Sequence, residues 1–162
     1  MSGVDWFTLR DARAADRSAI LALVPRLRAF GPSTLRTPEA LDAGERRVLE
    51  RFFDAPVNGT ALVVAERADG VVIGAAFAEE EIDYFTQEAN GHLGILVVAA
   101  AAEGRGVGRA LIANFERWAQ AAGHRFVTIN VFATNARAAQ LYERAGYEPD
   151  TLRYAKTLPP AV

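Results

Sequence analysis

The sequence predicts a single-domain α/β fold across residues 1–162, and three observations carry that expectation. First, β-rich runs alternate with helical spacing along the chain. Second, a glycine turn, Glu103-Gly104-Arg105-Gly106-Val107-Gly108-Arg109, joins an apolar run to an amphipathic pattern. Third, 162 residues suffice for one core, burying roughly 70% of the unfolded surface, and no repeat or low-complexity linker divides them. A hydrophobic share of 51%, a charged share of 23% and a net charge of −2 exclude a disordered chain and give nonspecific nucleic-acid binding no support. With no cysteine there is no disulfide and no thiolate nucleophile, and only His92 and His124 offer imidazole, so no metal is expected. Neither a basic segment leading into an apolar run within Met1 to Arg10 nor a run of ~18 apolar residues is present, so the expected location is cytoplasmic, with no membrane partner.

Taken in order, Phe7 to Arg10 reads as a short strand, and Asp16 as the N-cap of a helix carrying Ile20, Leu21, Leu23, Val24 and Leu27. Pro25 inside that pattern predicts a kink or break, and Phe30-Gly31-Pro32-Ser33 interrupts the chain. Thr37-Pro38-Glu39 reads as an N-cap, a proline at N1 and a first-turn acid, opening a helix that ends near Phe53. Ala61 to Glu66 and Val71 to Phe77 form a hairpin about Asp69-Gly70, the second run continuing through Glu79-Glu80-Glu81-Ile82-Asp83. Leu93 to Val98 is almost wholly apolar, as a strand covered on both faces should be. Beyond the glycine turn, Val107, Leu111, Ile112, Phe115, Trp118 and Ala119 recur at helical spacing up to Gly123. Phe126 to Phe132 is the next strand, Asn135 caps a helix through Ala138, Leu141 and Tyr142 to Gly146, and Tyr147 to Leu158 returns as extended chain.

Gly104, Gly106 and Gly108 let backbone N–H groups approach a ligand, and the helix start behind them carries roughly half a positive charge, a combination that binds phosphate. Spacing separates the candidates. The nucleotide P-loop needs Lys-Ser or Lys-Thr after its last glycine, which is missing. A dinucleotide fingerprint needs a small residue where Leu111 stands, and an acid at the end of the next strand, which instead closes on Phe132-Ala133-Thr134-Asn135. The acyl-CoA pattern Q/R-x-x-G-x-G/A fits in the register Glu103-x-x-Gly106-x-Gly108, except at its first position.

Together with Asn135-Ala136-Arg137-Ala138-Ala139-Gln140-Leu141-Tyr142 and the following Gly146-Tyr147, this loop resembles the GNAT N-acetyltransferase superfamily, whose downstream pattern is N-x-x-A-x-x-x-Y-x-x-x-G-F/Y. The match is clear from about Leu93 to Tyr147. The resemblance implies a mixed, centrally splayed β-sheet flanked by helices, and acetyl-CoA as cosubstrate. It places the cofactor against Leu96, Val97 and Val98, against the loop from Glu103 through Gly104, Arg105, Gly106, Val107 and Gly108 to Arg109, and against Asn135, Ala138 and Tyr142. Glu103 departs from the family, which usually has Gln or Arg there, so its side chain inherits no pyrophosphate contact; the cradle is mostly backbone. Asn135 either touches the cofactor or serves only as an N-cap.

The implied activity is transfer of acetyl to a primary amine of a small molecule or peptide by direct attack, with no acyl-enzyme. Tyr142 stands where the family places the general acid for the leaving thiolate, and the other reading is a helix tyrosine packing on the core. Neutralising a lysine-like ammonium at pH 7 costs about 4.6 kcal/mol, so a base is expected. His92, read as sharing a strand face with Leu96, is one candidate. Glu79, Glu80, Glu81 and Asp83 are the rival set, of which Glu79, Glu81 and Asp83 alternate onto one face, with Glu81 the acid carried as catalytic. His124, after a helix-ending glycine, is expected at the surface. Dimerisation is common in the family, which admits a homodimer. A noncatalytic acyl-CoA sensor on the same fold is the reading from another class.

Overall fold

A computed structural model describes residues 6–31 and 35–161. The expected break at Pro32-Ser33, and the first half of the segment Met1 to Arg10 that bears on a leader pattern, lie outside the described residues. β1 (Phe7–Asp11) leads to α1 (Arg17–Leu23), α2 (Pro38–Asp54), β2 (Thr60–Arg67), β3 (Val72–Ile82) and β4 (Ala89–Val98). α3 (Val107–Ala121), β5 (Val127–Ile129) and α4 (Ala136–Arg144) follow. The strands lie in the order β1-β2-β3-β4-β5; the first four are antiparallel, and β5 joins β4 in parallel after the α3 crossover.

Local chemistry accounts for most boundaries. Pro25 has no N–H to give an α-helix, and α1 passes there into a 3₁₀ turn, Val24–Arg28. At the start of α2 the Thr37 hydroxyl accepts the Ala40 N–H at 3.1 Å, with Pro38 behind it. Gly70, at φ +83°, closes the β2–β3 hairpin. Two apolar layers cover the sheet. Leu111, Ile112 and Phe115 of α3 pack on Ala76, Ala78 and Leu93, while Ile20, Val24 and Leu49 of the α1–α2 side pack on Val64, Phe77, Ile95 and Val97.

α3 comes close to the sheet because β3 offers no side chain where they cross. A Cβ on Gly74 would lie 3.0 Å from Val107 Cγ1 and from the Val97 carbonyl oxygen. Gly91 does the same further along, where Ala119 and Trp118 occupy the space.

Six expectations need correction. The Asp16 carboxylate does not cap α1. It accepts from Arg10 at 2.7 and 2.9 Å and from the Arg13 N–H at 2.7 Å, because a fixed guanidinium fork outcompetes the helix end. The strand expected over Phe126 to Phe132 shrinks to Val127–Ile129, since its pairing stops at Leu93↔Ile129, where Gly94 bulges out of β4. That bulge also inverts the alternation. Leu96 packs with the α3 layer, whereas His92 pairs across to Glu79 on the opposite face, so the two do not share a face. Asp83 falls in the turn after β3, accepting the N–H groups of Phe85 and Thr86, and does not extend the row of Glu79 and Glu81. The His124 side chain is only 3% exposed, beside the Trp118 ring and 3.4 Å from a Glu80 oxygen, because the chain turns in behind α3 at Gly123. Tyr147 to Leu158 joins no strand among the described residues; Pro149 has no N–H to donate, and Leu152, Tyr154 and Leu158 are exposed.

Candidate active site

Where β5 parts from β4, the sheet opens. From Ile95 to Val98, β4 keeps its pairing with β3 but has lost its other neighbour, which leaves one backbone edge facing a cavity of about 690 Å³. Leu96, Val97 and Val98 line it from the strand, Gly106 to Arg109 from the start of α3, and Asn135, Ala138 and Tyr142 from α4. The two sequence motifs therefore meet across the splay. Gly104 and Gly106 have φ of +71° and +86°, a left-handed backbone that favours glycine. No side chain caps α3, whose first internal hydrogen bond runs from the Ala110 N–H to Gly106 at 3.0 Å. The N–H groups ahead of it belong to a helix end unsatisfied within the helix, at its positive pole. Gly108 is small for a different reason: a Cβ there would lie 3.3 Å from Leu141 of α4.

Glu103 lies at the lip of this cradle. Its carboxylate accepts from Arg26 of the 3₁₀ turn and from Arg137 of α4, the latter at 2.6 Å, while Arg26 also reaches the Val98 carbonyl at 3.4 Å. The acid at the family's Gln/Arg position thus holds two arginines at the cavity wall. Arg109 and Arg144 line it as well. Arg105 does not: its guanidinium stacks 3.7 Å above the Trp6 ring, leaving only its main chain to the loop. Asn135 accepts the Ala138 N–H at 3.1 Å, so the capping role is present, on a residue that also faces the cavity.

Tyr142 faces the cavity from α4, and burial pushes its phenol up to about 12. His92 and Glu81 lie elsewhere. The buried His92 ring meets the Thr128 hydroxyl at 2.8 Å through Nδ1, with Glu81 3.7 Å away, and neither residue lines the cavity. Sequence reasoning missed Arg26, Arg137 and Glu45, all in the lining. Only Glu45 leaves a sequence signal, as an acid at an apolar position of α2, within the series Leu41, Glu45, Val48, Leu49, Phe52. Phe30 and Phe132 meet over the cavity with ring centroids 5.5 Å apart, joining the segment after the 3₁₀ turn to the segment after β5.

The sequence matches the model of the acetyltransferase (GNAT) family over residues 30–147, and the chain belongs to that family. No curated protein matches it. Among solved structures it resembles a Pyrococcus furiosus chain assigned as an acetyl transferase, at 20% identity and a TM-score of 0.77, covering 94% of this chain and 99% of that one. It also resembles the aminoglycoside N-acetyltransferase AAC(6')-Iy in complex with CoA, at 21% identity and a TM-score of 0.72, covering 98% and 99%. Glucosamine-6-phosphate N-acetyltransferase from Arabidopsis thaliana follows at 18% identity and 0.66, covering 94% and 99%. These likenesses show the fold: a mixed α/β open sheet flanked by four helices. Among the described residues no helix is long and apolar enough to cross a membrane, and no group of three or more His, Asp or Glu could hold a metal.

Proposed function

We propose that this protein is an N-acetyltransferase that moves acetyl from acetyl-CoA to a primary amine by direct attack. The observation that carries the reading is one cavity that joins an uncapped glycine-opened helix start, an unpaired strand edge and a half-buried tyrosine. The residues present fit the cofactor. Backbone N–H groups at the start of α3 receive the pyrophosphate, aided by Arg109 and by the Arg26 and Arg137 side chains that Glu103 holds, and the edge of β4 from Leu96 to Val98 pairs with the pantetheine arm. When bound, acetyl-CoA supplies a thioester carbon open to a neutral amine and a thiol leaving group.

The chain's own groups then orient and move protons. Main-chain donors at the β4 edge stabilise charge on the thioester oxygen. Tyr142 remains a phenol throughout the neutral range and donates to the departing sulfur. Full transfer from a group near 12 to a thiolate near 8.5 costs about 5 kcal/mol, so a donated hydrogen bond, strengthening as charge collects on sulfur, is its main contribution. His92 and Glu81, outside the lining, receive no proton-transfer role in this reading. Kinship with aminoglycoside and glucosamine-6-phosphate acetyltransferases favours small-molecule amines over protein acceptors. Assaying free CoA release against aminoglycosides, polyamines, amino sugars and N-terminal peptides tests it. We expect acetyl-CoA turnover that depends on one amine class, and binding of acetyl-CoA without turnover of any would replace the enzyme with an acyl-CoA sensor.

A further inference from the structure

Among the described residues that line the cavity there are two carboxylates, Glu45 and Glu103. They are in opposite situations. Glu103 is bound by two guanidinium groups and is committed to them. Glu45 makes no hydrogen bond or ion pair with any described residue, although it projects from the side of α2 that packs on the sheet. Its neighbours along that side are Leu41, Val48, Leu49 and Phe52, and Leu49, with 1% of its surface exposed, is core. An unpartnered carboxylate on an apolar helix face costs folding free energy unless something arrives to meet it. Burial accordingly raises the Glu45 carboxyl above its ordinary range, the direction that makes a carboxylate a better proton acceptor.

Glu45 shares the cavity with Gly94, where the sheet splays, with Leu27 and Phe30, and with Tyr142. The lining also holds four arginines, two of them bound to Glu103; its apolar residues and the one open acid suit a cation with an apolar body.

We infer that Glu45 is the carboxylate that receives the acceptor's ammonium group and takes its proton before attack. The inference rests on the acetyl-transfer reading above and names the acceptor side of that same cavity. The step balances: the ammonium gives one proton to the Glu45 carboxylate, which later releases it to solvent; the freed amine nitrogen forms the C–N bond as the C–S bond breaks, with Tyr142 donating a hydrogen bond to the departing sulfur; and the second amine proton leaves nitrogen for solvent, from which the thiolate takes one proton in return. The substrate class is a primary alkylammonium compound, with anionic amines disfavoured.

Glu45→Gln preserves shape and removes the charge. With spermidine, neamine and a pentapeptide with a free alanine N-terminus as probes, kcat/KM for whichever is the best wild-type acceptor is expected to fall at least 30-fold. The Kd for acetyl-CoA should stay within twofold, and Glu45→Asp should recover part of the lost activity. Unchanged kcat/KM in Glu45→Gln overturns the inference. So does a loss shared equally by acetyl-CoA affinity and melting temperature, which would make Glu45 a structural residue, and so does a wild type that binds acetyl-CoA yet turns over none of the three amines. Failure of wild-type protein to bind acetyl-CoA is a separate result, which removes the acetyl-transfer reading itself.

Discussion

Tyr142 and Glu103 show how far single residues carry function here. Both were singled out by motif position, but only one could be understood from it. Tyr142 sits seven residues past Asn135, and the helix between them brings both onto the cavity wall. Its phenol, raised by burial, is a donor at any pH near neutral. Tyr142→Phe keeps the ring and removes the donor, so kcat should fall at least tenfold, about 1.4 kcal/mol of barrier, with the acetyl-CoA Kd within twofold. Steady-state kinetics beside a binding titration checks this, and an undiminished kcat would return Tyr142 to a packing role. Glu103 was legible only as an anomaly, because the partners that explain it, Arg26 and Arg137, lie 77 and 34 residues away. No local rule reaches that far. Glu45 was partly legible, since an acid on the apolar stripe of α2 is visible in the sequence, but the cavity it faces is made by other elements.

At the scale of elements, helix starts and the hairpin followed from local chemistry: the Thr37 cap, the Pro25 break and Asp69-Gly70 are all decided within a few residues. The length of β5 was not. Its sequence, Phe126 to Phe132, has strand character throughout, yet pairing ends at Ile129 because the partner strand bulges at Gly94. An isolated glycine in an apolar run suggests either a bulge or a close backbone approach, and β4 has one of each, Gly94 and Gly91, which only the neighbouring elements tell apart. The same event moved His92 to the face away from Leu96. Element packing also makes Gly74 a sensitive position. In Gly74→Ala the new methyl would stand 3.0 Å from Val107 Cγ1 of α3 and from the Val97 carbonyl oxygen of β4, so α3 must lift and the strand pair must adjust, at a cost of about 1–3 kcal/mol. Urea or thermal unfolding should show a lower midpoint, and a wild-type midpoint would contradict the close packing described.

Across the whole molecule, an antiparallel meander and a helix–strand–helix unit diverge at the β4–β5 junction, and the cavity is the space this divergence leaves. Its floor is strand edge, one wall is the start of α3, and two of the arginines that face it, Arg26 and Arg137, are held by Glu103. The central claim is that this cleft binds acetyl-CoA through the glycine-opened start of α3. Gly106→Asp tests it most directly, since Asp tolerates a left-handed backbone better than most residues, and no heavy atom lies within 4 Å of the added Cβ. The fold should survive while a negative charge enters the cradle. Calorimetric titration of acetyl-CoA is expected to give a saturable isotherm with the wild type and at least 100-fold weaker binding with a Gly106→Asp variant that still melts cooperatively. Matching isotherms for the two proteins would contradict the account.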